Sequence, residues 1–228
     1  MTAALDSRLV QIQDDIRRDF DWDLQDDLDS AKDLRWYCKS KSLSNPLWSQ
    51  NGRLRALLQL QEVLTSGPLT ILGAAAEPKD VRDAIVEGHR LIAADGAVGV
   101  LSESEYPGIA WDALLCVVSD GDGEMNDLVM AAERGVPFVL HAHGDNNKEW
   151  IELLDVLMLY NTPVILTHQT PENLEGMYNP GGFTDGDRAV CFVMSQNVSC
   201  NQIRLRGFQT HSIGRWTGRT NPERKMRK

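Results

Sequence analysis

The sequence predicts an α/β fold: a Rossmann-like, mostly parallel sheet with flanking helices, preceded by an N-terminal helical segment. Three observations carry that expectation. From residue 67 onward, short apolar runs alternate with helix-length stretches, a pattern that implies parallel strands joined by right-handed crossovers. One run, ALLCVVSDGDG (113–123), is continuously apolar and then at once acidic and glycine-rich. Such a run suits a strand buried on both faces that ends in a tight turn. Near the N-terminus Leu5, Leu9, Ile12 and Ile16 recur at three- and four-residue intervals, which predicts a helix with one apolar face.

Taken in order, residues 1–65 read as a helical domain. Ten aspartates fall between residues 6 and 33. None follows a strand and a glycine turn, so they are read as solvated helix faces and caps. The Asp-rich DWDLQDDLDS is followed by Trp36, Trp48 and a helical run over 54–64. An α/β domain is expected over 66–215. Its first strand spans 69–72 and leads into the small-residue turn Gly73-Ala74-Ala75-Ala76-Glu77-Pro78. A helix over 79–87 ends at Gly88, a suitable left-handed cap. Further strands are expected at 90–94, 113–119, 136–141 and 164–167, with helices over 124–134 and 148–159 between the later ones. A helix over 188–194 follows a glycine-rich loop, 203–205 reads as a last strand, and 216–228 form a basic tail.

Composition narrows the function classes. Hydrophobic residues make up 42% of the 228, enough for a proper core. A net charge of −10 argues against a nucleic-acid binder, because phosphate backbones demand Lys and Arg. No apolar run reaches the length of a membrane span, and MTAALDSRLVQIQDD has neither the basic start nor the apolar stretch of a secretory signal. The four cysteines are scattered without a CxxC pair. Cys116 and Cys191 lie in apolar runs and read as small buried hydrophobes, and a reducing cytoplasm is the expected location.

The chemistry collects at strand ends. Asp95 follows the second expected strand and Asp120 and Asp122 the third. His141, His143, Asp145 and Asn146 follow the fourth, and Asp185 and Asp187 sit before the late helix. If the sheet is parallel, all these ends share one edge, where ligands bind in open α/β sheets. So many carboxylates in one crevice would repel unless cations neutralise them, which points to a divalent metal. In HAHGDN (141–146) the alternate histidines also permit a zinc hydrolase, but no further histidine completes the ligand set. GGFTDGDR (181–188) brings glycines, carboxylates and Arg188 to a helix N-terminus, a place that favours anions; Asp187 alternatively caps that helix.

Five motifs occur in order: DGA (95–97), SDGDG (119–123), HAHGDN (141–146), THQ (167–169) and GGFTDGDRA (181–189). With them the chain resembles the archaeal 6-hydroxymethyl-7,8-dihydropterin pyrophosphokinases, whose α/β domain is similar to that of thiamin pyrophosphokinase. The family usually carries a bulkier residue where Gly121 separates the two acids. The resemblance implies pyrophosphoryl transfer from ATP to a reduced pterin alcohol, with AMP released and Mg²⁺ required. It implies metal ligation by Asp95, Asp120, Asp122 and Asp145. Asp185 or Asp187 would ligate a second metal or accept the hydroxyl proton, so Asp120, Asp122, Asp185 and Asp187 are the catalytic candidates. Substrate and ATP would be held by Gly73, Asp95, Gly96, His143, Asn146, Thr167, Gln169, Phe183, Thr184 and Arg188. A homodimer is implied by the similarity to thiamin pyrophosphokinase. A thiamin-type pyrophosphokinase or another Mg²⁺-nucleotide transferase, a metal-dependent hydrolase and a non-catalytic binding module are the alternatives.

Overall fold

A computed structural model describes residues 7–144, 146–218 and 223. Three helices come first: α1 (Ser7–Phe20), α2 (Leu24–Lys41) and α3 (Gln50–Leu64). Then follow β1 (Leu69–Leu72), α4 (Pro78–Val86), β2 (Arg90–Ala94), α5 (Pro107–Ala113), β3 (Leu114–Ser119), α6 (Met125–Glu133) and β4 (Phe138–Ala142). The chain continues through α7 (Asn147–Leu159), β5 (Val164–His168), α8 (Asp185–Ser195) and β6 (Ile203–Arg206). The strands form one sheet in the order β5-β4-β3-β2-β1-β6, and every pairing is parallel. The fold is therefore α/β, as the alternation of strands and helices predicts.

Strand order fixes where a ligand can enter. The sheet grows one way from β1 to β5, then reverses to set β6 on the other side of β1. The topological switch point lies between β1 and β6, and crevices at the carboxyl ends of strands open at such points. Side chains alternate along each strand, and each face meets its own helical layer. Leu72, Leu91, Ala93, Val117, Phe138 and Leu140 face α2, α4, α6 and α7. Leu69, Ile71, Ile92, Cys116, Val118, Val139 and Ile165 face α3 and α8. The N-terminal helices thus supply both layers: Leu34 and Cys38 of α2 belong to one core, Leu57, Leu60 and Leu64 of α3 to the other. Cys116 and Cys191 are buried. Among the described residues, no helix is long and apolar enough to cross a membrane.

Asp23 caps α2 by accepting from Gln25 N at 2.8 Å, a role expected of the N-terminal aspartates, and residues 24–30 belong to that helix. The structure departs from the sequence-based expectation in two places. Residues between β2 and β3 form a buried 3₁₀ segment, Asp95–Leu101, and then α5; the glycine-spaced run AVGVL has neither a strand nor a helix period. Helix α1 does not bury the expected apolar stripe. Ile12 is 46% exposed, and the buried residues are Gln13 and Arg17. It docks by hydrogen bonds instead: Gln13 Nε2 donates to Gly182 O at 2.8 Å, and Arg17 Nη1 donates to Gln169 O at 2.8 Å. Leu5 lies outside the described residues.

Leu64 of α3 is fully buried against the sheet. Leu64→Ala is expected to cost about 2–5 kcal/mol, lowering Tm by roughly 5–15 °C in a thermal melt. An unchanged Tm would show that α3 is not part of the core.

Candidate active site

The carboxyl ends of β2 and β3 and the start of α8 bring four carboxylates together. Oxygens of Asp95, Asp120, Asp122 and Asp185 all lie within 4.8 Å of one another. Each is held by the local chain. Asp95 directly follows β2 in a left-handed conformation, φ +48°, a strained geometry for a non-glycine residue of the kind that clusters at functional sites. Ser119 Oγ donates to Asp95 Oδ1 at 2.5 Å and accepts from Gly121 N at 2.9 Å. Two glycines shape the turn between the acids. Gly121 has φ +92°, and a side chain there would meet the Glu149 and Trp150 backbone. A Cβ on Gly123 would lie 2.5 Å from Asp95 Oδ2, so only glycine lets the turn close on that carboxylate. Asp185 is the first residue of α8, and Arg188 Nη1 donates back to its Oδ1 at 3.2 Å.

Polar residues from β4 and β5 stand behind this cluster. His143 Nε2 lies 3.1 Å from Asp120 Oδ2, and Arg188 Nη1 lies 3.8 Å from the same oxygen. Asn146 Nδ2 donates to Asp120 O and His141 O, each at 2.8 Å, and its Oδ1 accepts from His143 N at 2.9 Å. It ties the ends of β3 and β4 together. His141 is buried, with Nδ1 3.0 Å from Thr167 Oγ1 and Nε2 3.4 Å from Gln169 Oε1. Both histidines therefore serve polar networks, and no histidine joins the carboxylate cluster among the described residues.

A cavity of about 500 Å³ opens beside the carboxylates at the switch point. Asp95, Asp122, Thr184, Asp185 and Asp187 line it together with Gly73, Phe208 and Trp216. The wall beyond β6 folds back on the turn after β1. Gly73 N and Ala75 N donate to Arg206 O and Gly207 O at 2.8 and 2.9 Å, and Trp216 N and Nε1 donate to Ala74 O and Ala76 O at 2.8 and 2.9 Å. The amides of Gly73 and Ala75 are thus engaged by the chain itself. Of the expected basic tail, Trp216, Thr217 and Gly218 line the cavity; residues 219–222 and 224–228 lie outside the described residues.

The residues singled out in the sequence fall into distinct positions. Asp95, Asp120, Asp122 and Asp185 converge. Asp187 is not in that cluster: its oxygens accept from Phe183 N at 2.9 Å and Thr184 Oγ1 at 2.6 Å, and with Thr184 it forms the reciprocal box that starts α8, its carboxylate accepting from Thr184 N. Gly96 packs beneath the Trp216 carbonyl. Phe183 is buried and stacked on Trp22, ring centroids 5.8 Å apart. Thr167 and Gln169 are buried behind the carboxylates, with Gln169 bonded to Arg188 Nη2 at 3.2 Å. Asp145 lies outside the described residues. Two contributors were not legible in the sequence. Asp27, read there as a solvated aspartate, is buried and bonded to Arg17 and Gln169; a buried polar residue on a helix leaves no periodic mark. The 207–218 wall carries no strand or helix pattern either.

Crowding dictates the electrostatics. Burial, then repulsion from Asp185 and Asp120, pushes the Asp95 carboxyl up to about 7. Burial and the charges of Asp120, Asp95 and Asp185 push Asp122 up to about 10. Burial works on Asp120 in the same sense, but the hydrogen bond and charge of His143 and the charge of Arg188 override it and hold Asp120 well below the usual carboxylate range. Burial, reinforced by Arg188 and His143, keeps His141 neutral, well below the usual imidazole value. The donors of the cluster are all carboxylate oxygens, a set that fits a hard divalent cation better than zinc. These four carboxylates can hold a metal ion, and its charge would relieve their repulsion.

Such a site on a doubly wound parallel sheet marks an α/β protein able to bring a metal ion to a ligand at its switch point. Comparison with known proteins makes this more specific. The chain is 31% identical over 204 residues to the 6-hydroxymethyl-7,8-dihydropterin pyrophosphokinase of Methanocaldococcus jannaschii, covering 85% of this chain and 75% of that protein. It is 37% identical over 160 residues to the protein of that name from Pyrococcus furiosus, 69% of this chain and 60% of the relative. With the one from Methanothermobacter thermautotrophicus it shares 38% identity over 126 residues, 55% of this chain and 48% of the relative. The matches thus span between about half and three quarters of these curated relatives. No family model matches the chain. The chain belongs to the 6-hydroxymethyl-7,8-dihydropterin pyrophosphokinase family.

The raised carboxyls give a pH dependence with a definite sign. Between the ordinary value of 3.8 and about 7, Asp95 holds its proton when folded and loses it when unfolded. Cation-free stability therefore falls as pH rises through that window, and Asp122 extends the fall toward about 10. A bound cation displaces those protons. The Tm gain from a fixed Mg²⁺ concentration is expected to grow from about pH 6 to about pH 8.5. Thermal melts across that range check it, and a flat or shrinking gain would contradict it.

Proposed function

We propose that the protein transfers the pyrophosphoryl group of ATP to 6-hydroxymethyl-7,8-dihydropterin, with Mg²⁺ in the carboxylate cluster. The observation that carries this reading is the convergence of Asp95, Asp120, Asp122 and Asp185 beside the switch-point cavity, in a chain whose relatives bear the name of that activity. The pterin hydroxymethyl oxygen forms a bond to the β-phosphorus of ATP. The bond from that phosphorus to the bridging oxygen of the α-phosphate breaks, and AMP leaves with the electron pair. Such transfer needs positioning and charge neutralisation more than covalent protein chemistry.

The chain's own residues divide that work. Asp95, Asp120 and Asp122 are the proposed metal ligands, with Ser119 and His143 fixing the carboxylates of the first two. When bound, Mg²⁺ would neutralise phosphate oxygens and the charge that develops during transfer. Asp185 lines the cavity and is the group suited to accept the hydroxyl proton. Gly186, beside it at the start of α8, brings a helix N-terminus to the phosphates. The exposed face of Phe208 offers a flat apolar wall for a planar ring. Arg188, enclosed by Asp185, Asp120 and Gln169, balances charge from behind and does not face the cavity mouth. Asp187 holds the helix start.

Incubation with ATP, Mg²⁺ and 6-hydroxymethyl-7,8-dihydropterin is expected to yield AMP and the pterin diphosphate. ADP as the nucleotide product, or no transfer, would overturn the reading. Asp120→Asn and Asp122→Asn are each expected to lower kcat by about 10²-fold or more. Asp187→Asn is expected to act on stability, by about 1 kcal/mol as for a weakened cap, and to leave kcat within a few-fold of the parent. Steady-state kinetics paired with thermal melts separate the two classes.

A further inference from the structure

Behind the carboxylates runs a buried polar chain that begins on the N-terminal helices. Asp27 of α2 is 4% exposed and Arg188 of α8 is 3% exposed. The Asp27 carboxylate accepts from Arg17 Nη1 at 2.7 Å, from Gly144 N at 2.8 Å, and from Gln169 Nε2 at 3.0 Å to each oxygen. An ionised carboxylate only accepts, and a primary amide has one donating and one accepting end. The Gln169 amide must therefore turn its NH₂ to Asp27, and its Oε1 is forced to the opposite side. There Oε1 accepts from Arg188 Nη2 at 3.2 Å. The guanidinium has no acceptor of its own, so a reversed amide would set donor against donor. Anchored in this way, Arg188 stands 3.2 Å from Asp185 Oδ1 and 3.8 Å from Asp120 Oδ2. It is hydrogen-bonded to Asp185 and stands at the long end of an ion pair with Asp120.

We propose that Asp27 is a positioning residue for the cation site: by anchoring the Gln169 amide, it restrains Arg188 from competing with a cation for Asp120. This rests on the reading that the carboxylate cluster binds a divalent cation. Without the Asp27 charge the Gln169 amide loses its anchor at both oxygens, and the guanidinium, no longer held back through Oε1, closes the remaining 3.8 Å to Asp120. Outer partners of metal ligands commonly act at this scale, and their loss costs about 10–100-fold in metal affinity.

Mn²⁺ alone, titrated calorimetrically into the full chain, tests the proposal. Asp27→Asn is expected to weaken Mn²⁺ binding by roughly 10-fold. In an Arg188→Met background the same substitution is expected to change affinity by less than about threefold, because the side chain it restrains is gone. Unchanged affinity in Asp27→Asn would overturn the proposal, and so would an equal loss of affinity in the Arg188→Met background. Should Asp27→Asn not fold, Gln169→Leu leaves Asp27 with Arg17 and Gly144 and is expected to show the same roughly 10-fold loss; parental affinity there would overturn the proposal. A parent chain that binds no Mn²⁺, or binds it as tightly after Asp122→Asn, would instead overturn the cation reading, and the proposal would fall with it.

Discussion

Mutual repulsion among Asp95, Asp120, Asp122 and Asp185 is the constraint on which the rest of the structure depends. Four carboxylates within 4.8 Å of one another are costly in a partly buried crevice, because burial removes the water that would screen them. The chain compensates only in part. His143 and Arg188 favour the charged form of Asp120, while Asp95 and Asp122 are pushed toward protonation. A site left under-neutralised in this way attracts external positive charge, and its oxygen donors suit a hard divalent cation. Stability is thereby exchanged for binding, as is common where titratable groups are forced together.

The fold determines where that repulsion is concentrated. Parallel strands send all their carboxyl ends to one edge, so acids that follow β2 and β3 become neighbours although 24 residues separate Ser119 from the Asp95 it contacts. Reversal of strand order between β1 and β6 opens the cavity beside them, and the 207–218 segment walls it by bonding to the turn after β1. Helices α1 and α2, first in sequence, reach the rear of the site through Arg17 and Asp27. The helical segment therefore contributes both to the apolar layers and to the polar network behind the acids.

How much of this was legible in the sequence follows from the kind of signal each residue leaves. Strands β1 to β5 were readable because they are apolar runs bounded by turns, and Asp95, Asp120 and Asp122 because they follow such runs directly. Asp185 and Asp187 could not be told apart: both sit at one helix start, but two residues along an α-helix point to opposite sides. One joins the cluster and the other caps the helix. Asp27 was misread as a surface residue because its burial depends on partners more than 100 positions away, Gly144 and Gln169. The apolar stripe of α1 misled for a related reason, since the helix is anchored through Gln13 and Arg17 instead. Gly121, an oddity in the SDGDG string, has a plain cause in its positive φ and the nearby Glu149 and Trp150 backbone.

The most direct test of the cation site is an anomalous-difference map from crystals soaked in Mn²⁺. The expected result is a peak bounded by the carboxylates of Asp95, Asp120, Asp122 and Asp185. A peak at His141 and His143 in its place, or none at the four aspartates, would contradict it.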